Sequence, residues 1–135
     1  EFGCPPNAII TPHPGEAAML LDCSIEELQK NRLEAAEELY KKYNCLIILK
    51  GYQTIVFDGE AYQCTDGGPA LSTAGTGDVL AGLIGSFLAQ GLSKTDAAKF
   101  SVAIHGAAGD KFSRNKRIRG LTATKLIKII NEEML

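Results

Sequence analysis

Ser72-Thr73-Ala74-Gly75-Thr76-Gly77-Asp78-Val79-Leu80-Ala81-Gly82 is a loop that turns into an apolar helix, and its reading decides the fold. Gly75 and Gly77 let the backbone come close to an anion, and the first-turn amides of the helix have no intrahelical partner. The helix dipole adds partial positive charge at the same place, so phosphate is the natural occupant. Asp78 is then repelled by the anion that the loop attracts. A carboxylate placed there takes a proton from a nucleophile or holds magnesium, or it is an acidic residue favoured in any first helical turn. On this stretch alone those readings stay open.

Outward from it, the chain alternates strands and helices. Residues 7–11 are a β-prone run closed by Pro12 and Pro14, and a helix begins at Gly15-Glu16. Ser24 and Glu27 have capping-box spacing. Residues 31–43 are amphipathic, with Leu33, Ala36, Leu39 and Tyr40 on one face. The continuously apolar run at 45–49 reads as a strand covered on both faces. Residues 54–57 and 61–64 flank Asp58-Gly59 as a hairpin. After the glycine-rich loop at 66–77, helices are expected at 78–90, closed by Gly91, at 96–112, capped by Ser93 or Thr95, and at 122–134.

This order predicts an α/β fold with a mainly parallel sheet. Only two buried strands and a hairpin are visible, fewer than open α/β sheets usually have. Either another chain completes the sheet, or this is the C-terminal part of a longer domain. Residues 1–135 read as a single segment without repeat or domain boundary, with Glu1-Phe2 a cloning remnant.

With 135 residues and a net charge of -2, the chain is the size of one domain and lacks the basic surface of a nucleic-acid binder. No apolar run is long enough to span a membrane and no secretory h-region opens the chain, so the expected setting is cytoplasmic. Cys4, Cys23, Cys45 and Cys64 form no CxxC pair, which argues for structural thiols rather than a zinc site.

Two further segments stand at strand ends, where open α/β folds place ligands. Thr11-Pro12-His13-Pro14-Gly15-Glu16 is a rigid turn with two polar side chains, or a turn in which Glu16 only stabilises a helix start. Lys50-Gly51-Tyr52-Gln53-Thr54 follows the buried strand, where a lysine can pair with phosphate or simply be solvated. His105-Gly106-Ala107-Ala108-Gly109 lies inside a helix, and His105 reads as a satisfied core histidine. Arg114, Lys116, Arg117 and Arg119 read as a solvated surface.

TPHPGE, KGxxT, GGPALSTAGTGDVLAG and HGAAGD, in that order, resemble the ribokinase-like superfamily, and most closely the ADP- or ATP-dependent NAD(P)H-hydrate (NAD(P)HX) dehydratases. The likeness runs from residue 7 to the last helix. It implies a three-layer αβα fold, of which this chain is the C-terminal half, with an N-terminal half expected in the native protein. It also implies repair of hydrated NADH or NADPH: a nucleotide phosphorylates the ring hydroxyl, and phosphate then leaves. By the same resemblance Asp78 is the base and contacts substrate, and the amides of Gly75, Thr76 and Gly77 form the anion hole. Lys50, Gly51, Tyr52, Gln53, Thr54 and Gly77 line the nucleotide site. His13 contacts the hydrated dinucleotide, and Glu16 organises Mg2+ through water. The expected partners are NAD(P)HX, ADP or ATP, and further copies in a homo-oligomer, with no nucleic acid and no membrane. Thr122-Ala123-Thr124 departs from the acidic family pattern before the last helix, with Thr124 left to contribute to a cap. The alternatives are a vitamin-precursor kinase of the hydroxymethylpyrimidine or hydroxyethylthiazole type, whose members have asparagine in place of His13, and an inactive nucleotide-binding module.

Overall fold

The computed structural model describes residues 3–5, 7–114 and 119–133. Glu1-Phe2, Lys116 and Arg117 of the basic cluster, and Met134 at the end of the last expected helix lie outside the described residues. In chain order the elements are β1 (Ile9–Ile10), α1 (Pro14–Leu21), α2 (Ile25–Lys30), α3 (Arg32–Tyr43), β2 (Leu46–Leu49), β3 (Ile55–Phe57), β4 (Ala61–Gln63), a short 3₁₀ turn (Pro69–Leu71), α4 (Thr76–Ala89), α5 (Lys94–Ser113) and α6 (Ala123–Glu133). They form two compact units, one up to Gln63 and one from Cys64 onward.

The first unit holds a sheet of order β1-β2-β3-β4. β1 runs parallel to β2, with Ile9 opposite Leu46, while β2–β3 and β3–β4 are antiparallel. The sheet of this chain is therefore mixed, not mainly parallel. The cause is the link at 50–54: a parallel crossover needs about a dozen residues, so a link this short returns the chain antiparallel. Ile47, Leu49, Ile55 and Phe57 share one face and pack with Ala17, Ala18, Leu28, Ala35, Ala36 and Leu39. Small alanines let α1 and α3 approach the sheet closely, and Phe57 meets Tyr40 edge-on at 5.4 Å between ring centres. Leu46, Ile48 and Val56, on the opposite face, are equally buried, which is why β2 reads as unbroken apolar sequence. Leu33, expected on the inner face of α3, is 52% exposed; the inward phase runs through Ala35, Ala36 and Leu39 instead.

In the second unit α4, α5 and α6 enclose a small core of Ala70, Ala108, Leu121, Leu126 and Ile130. Ser93, not Thr95, caps α5, its side chain accepting from the Asp96 amide at 3.1 Å. Thr122, not Thr124, caps α6: its hydroxyl accepts from the Lys125 amide at 3.3 Å. Cys64 is buried, and its thiol points to the carbonyl oxygens of Asp66 and Val102, which fits a structural thiol. Among the described residues, no helix is long and apolar enough to cross a membrane.

Candidate functional site

In the first unit the TPHPGE turn and the KGYQT loop are joined directly: the Lys50 amide donates to the Pro12 carbonyl at 2.9 Å. His13 is the N-cap of α1. Its Nδ1 accepts from the Glu16 amide at 3.1 Å, and Glu16 Oε2 accepts from the His13 amide at 2.7 Å. Glu16 Oε1 lies 3.4 Å from His13 Nε2, so both carboxylate oxygens face the same histidine. The two side chains remain about half exposed. Thr11, Pro12 and Glu16 also line an open groove of about 350 Å³ with Ile10, Leu20 and Tyr43.

The KGYQT loop is held from below by Arg32, which sequence reading passes over, because an arginine opening an amphipathic helix looks like one of its solvated charges. Arg32 Nη2 donates to the carbonyl oxygens of Leu49 and Lys50, each at 3.2 Å, and Nη1 to Gln29 Oε1 at 3.0 Å. Its Nε is buried without an acceptor, and burial pushes the guanidinium pKa below its ordinary value. Gly51 has φ +131°, and a Cβ there would fall 3.0 Å from Arg32 Nη1, so both conformation and space demand glycine. Gln53 sits at φ +53°, and its side-chain oxygen accepts from Gln63 Nε2 at 2.9 Å across to β4. Thr54 Oγ1 donates to the Gly51 carbonyl at 3.1 Å. Tyr52 projects outward, 78% exposed.

In the second unit Gly75 is the N-cap of α4 in the left-handed region, at φ +85°. A Cβ at Gly75 would lie 3.1 Å from that of Ala123, so the Thr122-Ala123-Thr124 segment abuts the loop. Thr76 is buried, and its hydroxyl lies 2.6 Å from the Leu71 carbonyl and 2.8 Å from that of Thr73. The Thr76 amide also donates to Thr73, at 3.3 Å. One of the three amides expected to face an anion is thus already engaged inside the loop. The amides of Gly77 and Asp78 have no acceptor among the described residues, and the Asp78 side chain is exposed. His105, half-buried on α5, places Nε2 2.9 Å from the Thr76 carbonyl oxygen. Arg114 and Arg119 are exposed. No group of three or more His, Cys, Asp or Glu side chains that could hold a metal occurs among the described residues.

The geometry has counterparts among known proteins. Residues 4–132 match the carbohydrate-kinase family model described as NAD(P)H-hydrate dehydratase. The chain is 42% identical over 125 residues to a bifunctional NAD(P)H-hydrate repair enzyme of Vibrio cholerae, a match covering 92% of this chain and 25% of that protein. It is 41% identical over 127 residues to the ADP-dependent (S)-NAD(P)H-hydrate dehydratase of Neisseria meningitidis, covering 92% of this chain and 43% of the relative. Among solved structures, the ADP/ATP-dependent NAD(P)H-hydrate dehydratase of Bacillus subtilis co-crystallised with ATP and Mg2+ matches with a TM-score of 0.89. That match has 32% identity over 96% of this chain and 49% of the other. A ribokinase-like superfamily protein of Enterococcus faecalis matches with a TM-score of 0.72 at 31% identity, covering 91% of this chain and 42% of that one. The fold is thus ribokinase-like. The chain spans about a quarter of the Vibrio relative and half of the Bacillus structure.

Proposed function

Because the chain belongs to the NAD(P)H-hydrate dehydratase family, we propose that it carries the phosphoryl-transfer part of a nucleotide-dependent NAD(P)HX dehydratase. The observation that carries this reading is the start of α4: an exposed carboxylate, Asp78, beside the two unengaged amides of Gly77 and Asp78. Asp78 takes the proton of the substrate's ring hydroxyl, and the freed oxygen attacks the terminal phosphorus of ADP or ATP. The nucleotide leaves one phosphoryl group shorter. The ring C–O bond then breaks with phosphate as leaving group, a proton is lost from the adjoining ring carbon, and the double bond of NADH or NADPH returns. Charge building on the phosphoryl oxygens is met by amides of the turn. Of the Gly75, Thr76 and Gly77 set, the amides of Gly75 and Gly77 remain for this, joined by Asp78, because the Thr76 amide is occupied by Thr73.

In the first unit Lys50, Gly51, Tyr52, Gln53 and Thr54 take the nucleotide. This is supported by the preformed turn at Gly51 and Gln53 and by the exposed Tyr52 ring. His13 contacts the hydrated dinucleotide through the exposed part of its ring. Magnesium fits this segment only through water. Glu16 keeps lone pairs for bound water, whereas direct coordination would compete with His13 for both oxygens. When bound with nucleotide, the ion neutralises phosphate charge. The setting is cytoplasmic, the assembly a homo-oligomer, and the segment is the C-terminal half of a single ribokinase-like domain. The vitamin-precursor kinase alternative is not favoured, since the family match is to the dehydratases.

The test is return of NADH absorbance when the protein bearing this segment is incubated with NADHX, Mg2+ and either nucleotide. Asp78→Asn is expected to lower turnover by about 10²–10⁴-fold with nucleotide binding largely kept. Wild-type turnover in that variant would sink the reading.

A further inference from the structure

HGAAGD, on α5, is the one sequence motif that the reading above leaves without a role. Its side of α5 is the seat of the glycine-rich loop. A Cβ added at Gly106 would fall 2.7 Å from the Asp66 carbonyl oxygen, and one at Gly109 would come within 2.6 Å of Leu71 Cγ. Asp110 Oδ2 accepts from the Gly67 amide at 3.0 Å. His105 Nε2 also lies 2.9 Å from the Thr76 carbonyl oxygen. A carbonyl oxygen only accepts, so Nε2 carries the proton and donates.

The Thr76 oxygen belongs to the same peptide unit as the Gly77 nitrogen. That unit is planar and trans, with its C=O and N–H pointing in opposite directions. Gripping the oxygen from α5 therefore fixes where the Gly77 N–H points. The same bond draws electron density toward the oxygen and makes the N–H a stronger donor. We propose that His105 is a positioning residue, which through the Thr76 carbonyl aims and polarises the Gly77 amide at the phosphoryl group in flight. This inference rests on the reading of the Gly75–Asp78 turn as the phosphoryl site. Asp110 and the two glycines seat the loop; among these α5 residues it is His105 that reaches the peptide facing the chemistry.

The experiment compares wild type with His105→Gln, His105→Asn and His105→Leu in the protein bearing this segment. The side-chain amide nitrogen of Gln reaches the place of Nε2, that of Asn stops at the place of Nδ1, and Leu has no donor. Gln is expected to keep turnover within about threefold, and Asn and Leu to lose about 10–100-fold in kcat with nucleotide KM little changed. Thr76-Gly77 is the only Thr-Gly step within residues 1–135, so carbonyl-13C threonine with 15N-glycine reports on it in this segment. That signal is expected to move in Leu and Asn and return in Gln. Equal turnover in all folded variants, or an unmoved Thr76-Gly77 signal, overturns the proposal. If Leu does not fold, the Gln–Asn pair gives the same decision. A signal that follows the donor, with no turnover even in wild type, supports the His105 grip and counts against the dehydratase reading alone.

Discussion

At Glu16 both carboxylate oxygens face one imidazole, and that ring is itself the cap of the helix that carries Glu16. A ligand that takes either side chain must leave the other without its partner, so recruitment of His13 and Glu16 is coupled. The same device at Ser24 and Glu27 is plain in the sequence, because serine is a common N-cap and glutamate three residues on completes the box. With histidine as the cap the signal is hidden, and Glu16 reads equally well as helix stabiliser or metal organiser. Glu27 gives the pH signature of such a box. The Ser24 amide, at 2.9 Å, and then its hydroxyl, at 2.8 Å, hold the Glu27 carboxyl below its ordinary pKa of 4.5. A lowered folded-state value means that the box stabilises α2 fully above that ordinary value. The contribution disappears as pH falls through the lowered one. Amide-exchange protection at the start of α2 should follow that acid-side profile in the parent and be flat in Glu27→Gln; a flat profile in both contradicts it.

Among the elements, α5 shows what small residues in a helix can mean. Its glycines read in sequence as sites of close helix packing, and the close approach is real, but the partner is a loop, through the Asp66 backbone at Gly106 and the Leu71 side chain at Gly109. Nothing local to HGAAGD says so, because the loop lies some forty residues earlier in the chain, as the Gly67–Asp110 bond shows. Gly106→Ala forces a methyl group against the Asp66 carbonyl and is expected to cost about 1–3 kcal/mol. Gly85→Ala, on α4 with nothing near the added Cβ, is expected to gain up to about 1 kcal/mol instead. Thermal melts of the two variants check this; equal midpoints would refute the seat. The sheet teaches the complementary lesson. β2 and the β3–β4 hairpin are legible from apolar runs and an Asp-Gly turn, whereas the pairing direction of β2 and β3 lies in the length of a link and not in its composition. Arg32 is illegible for a related reason: its acceptors, the carbonyls of Leu49 and Lys50, are backbone atoms that carry no sequence signal.

On the scale of the molecule, the two compact units divide the recognisable motifs between them, TPHPGE and KGYQT in one, AGTGD and HGAAGD in the other. The order of motifs makes the family legible from the sequence. The cap at His13, the engaged Thr76 amide and the Arg32 support become visible only with coordinates, since each depends on where a hydrogen bond goes. One feature of the first unit also sets a sequence of events in time. β2, β3 and β4 pair with their neighbours in the chain across short turns, but Ile9 reaches Leu46 only after three helices have intervened. Loop closure makes the distant contact the slow and late one. Ile10→Val should therefore weaken the unit by about 1 kcal/mol entirely through faster unfolding, with the refolding limb of the chevron unmoved. A slowed refolding limb contradicts the order. During folding, then, the loop at 50–54 takes shape before the turn that carries His13, and if that loop takes the nucleotide as proposed, ligand affinity recovered after dilution from denaturant should return for the nucleotide first.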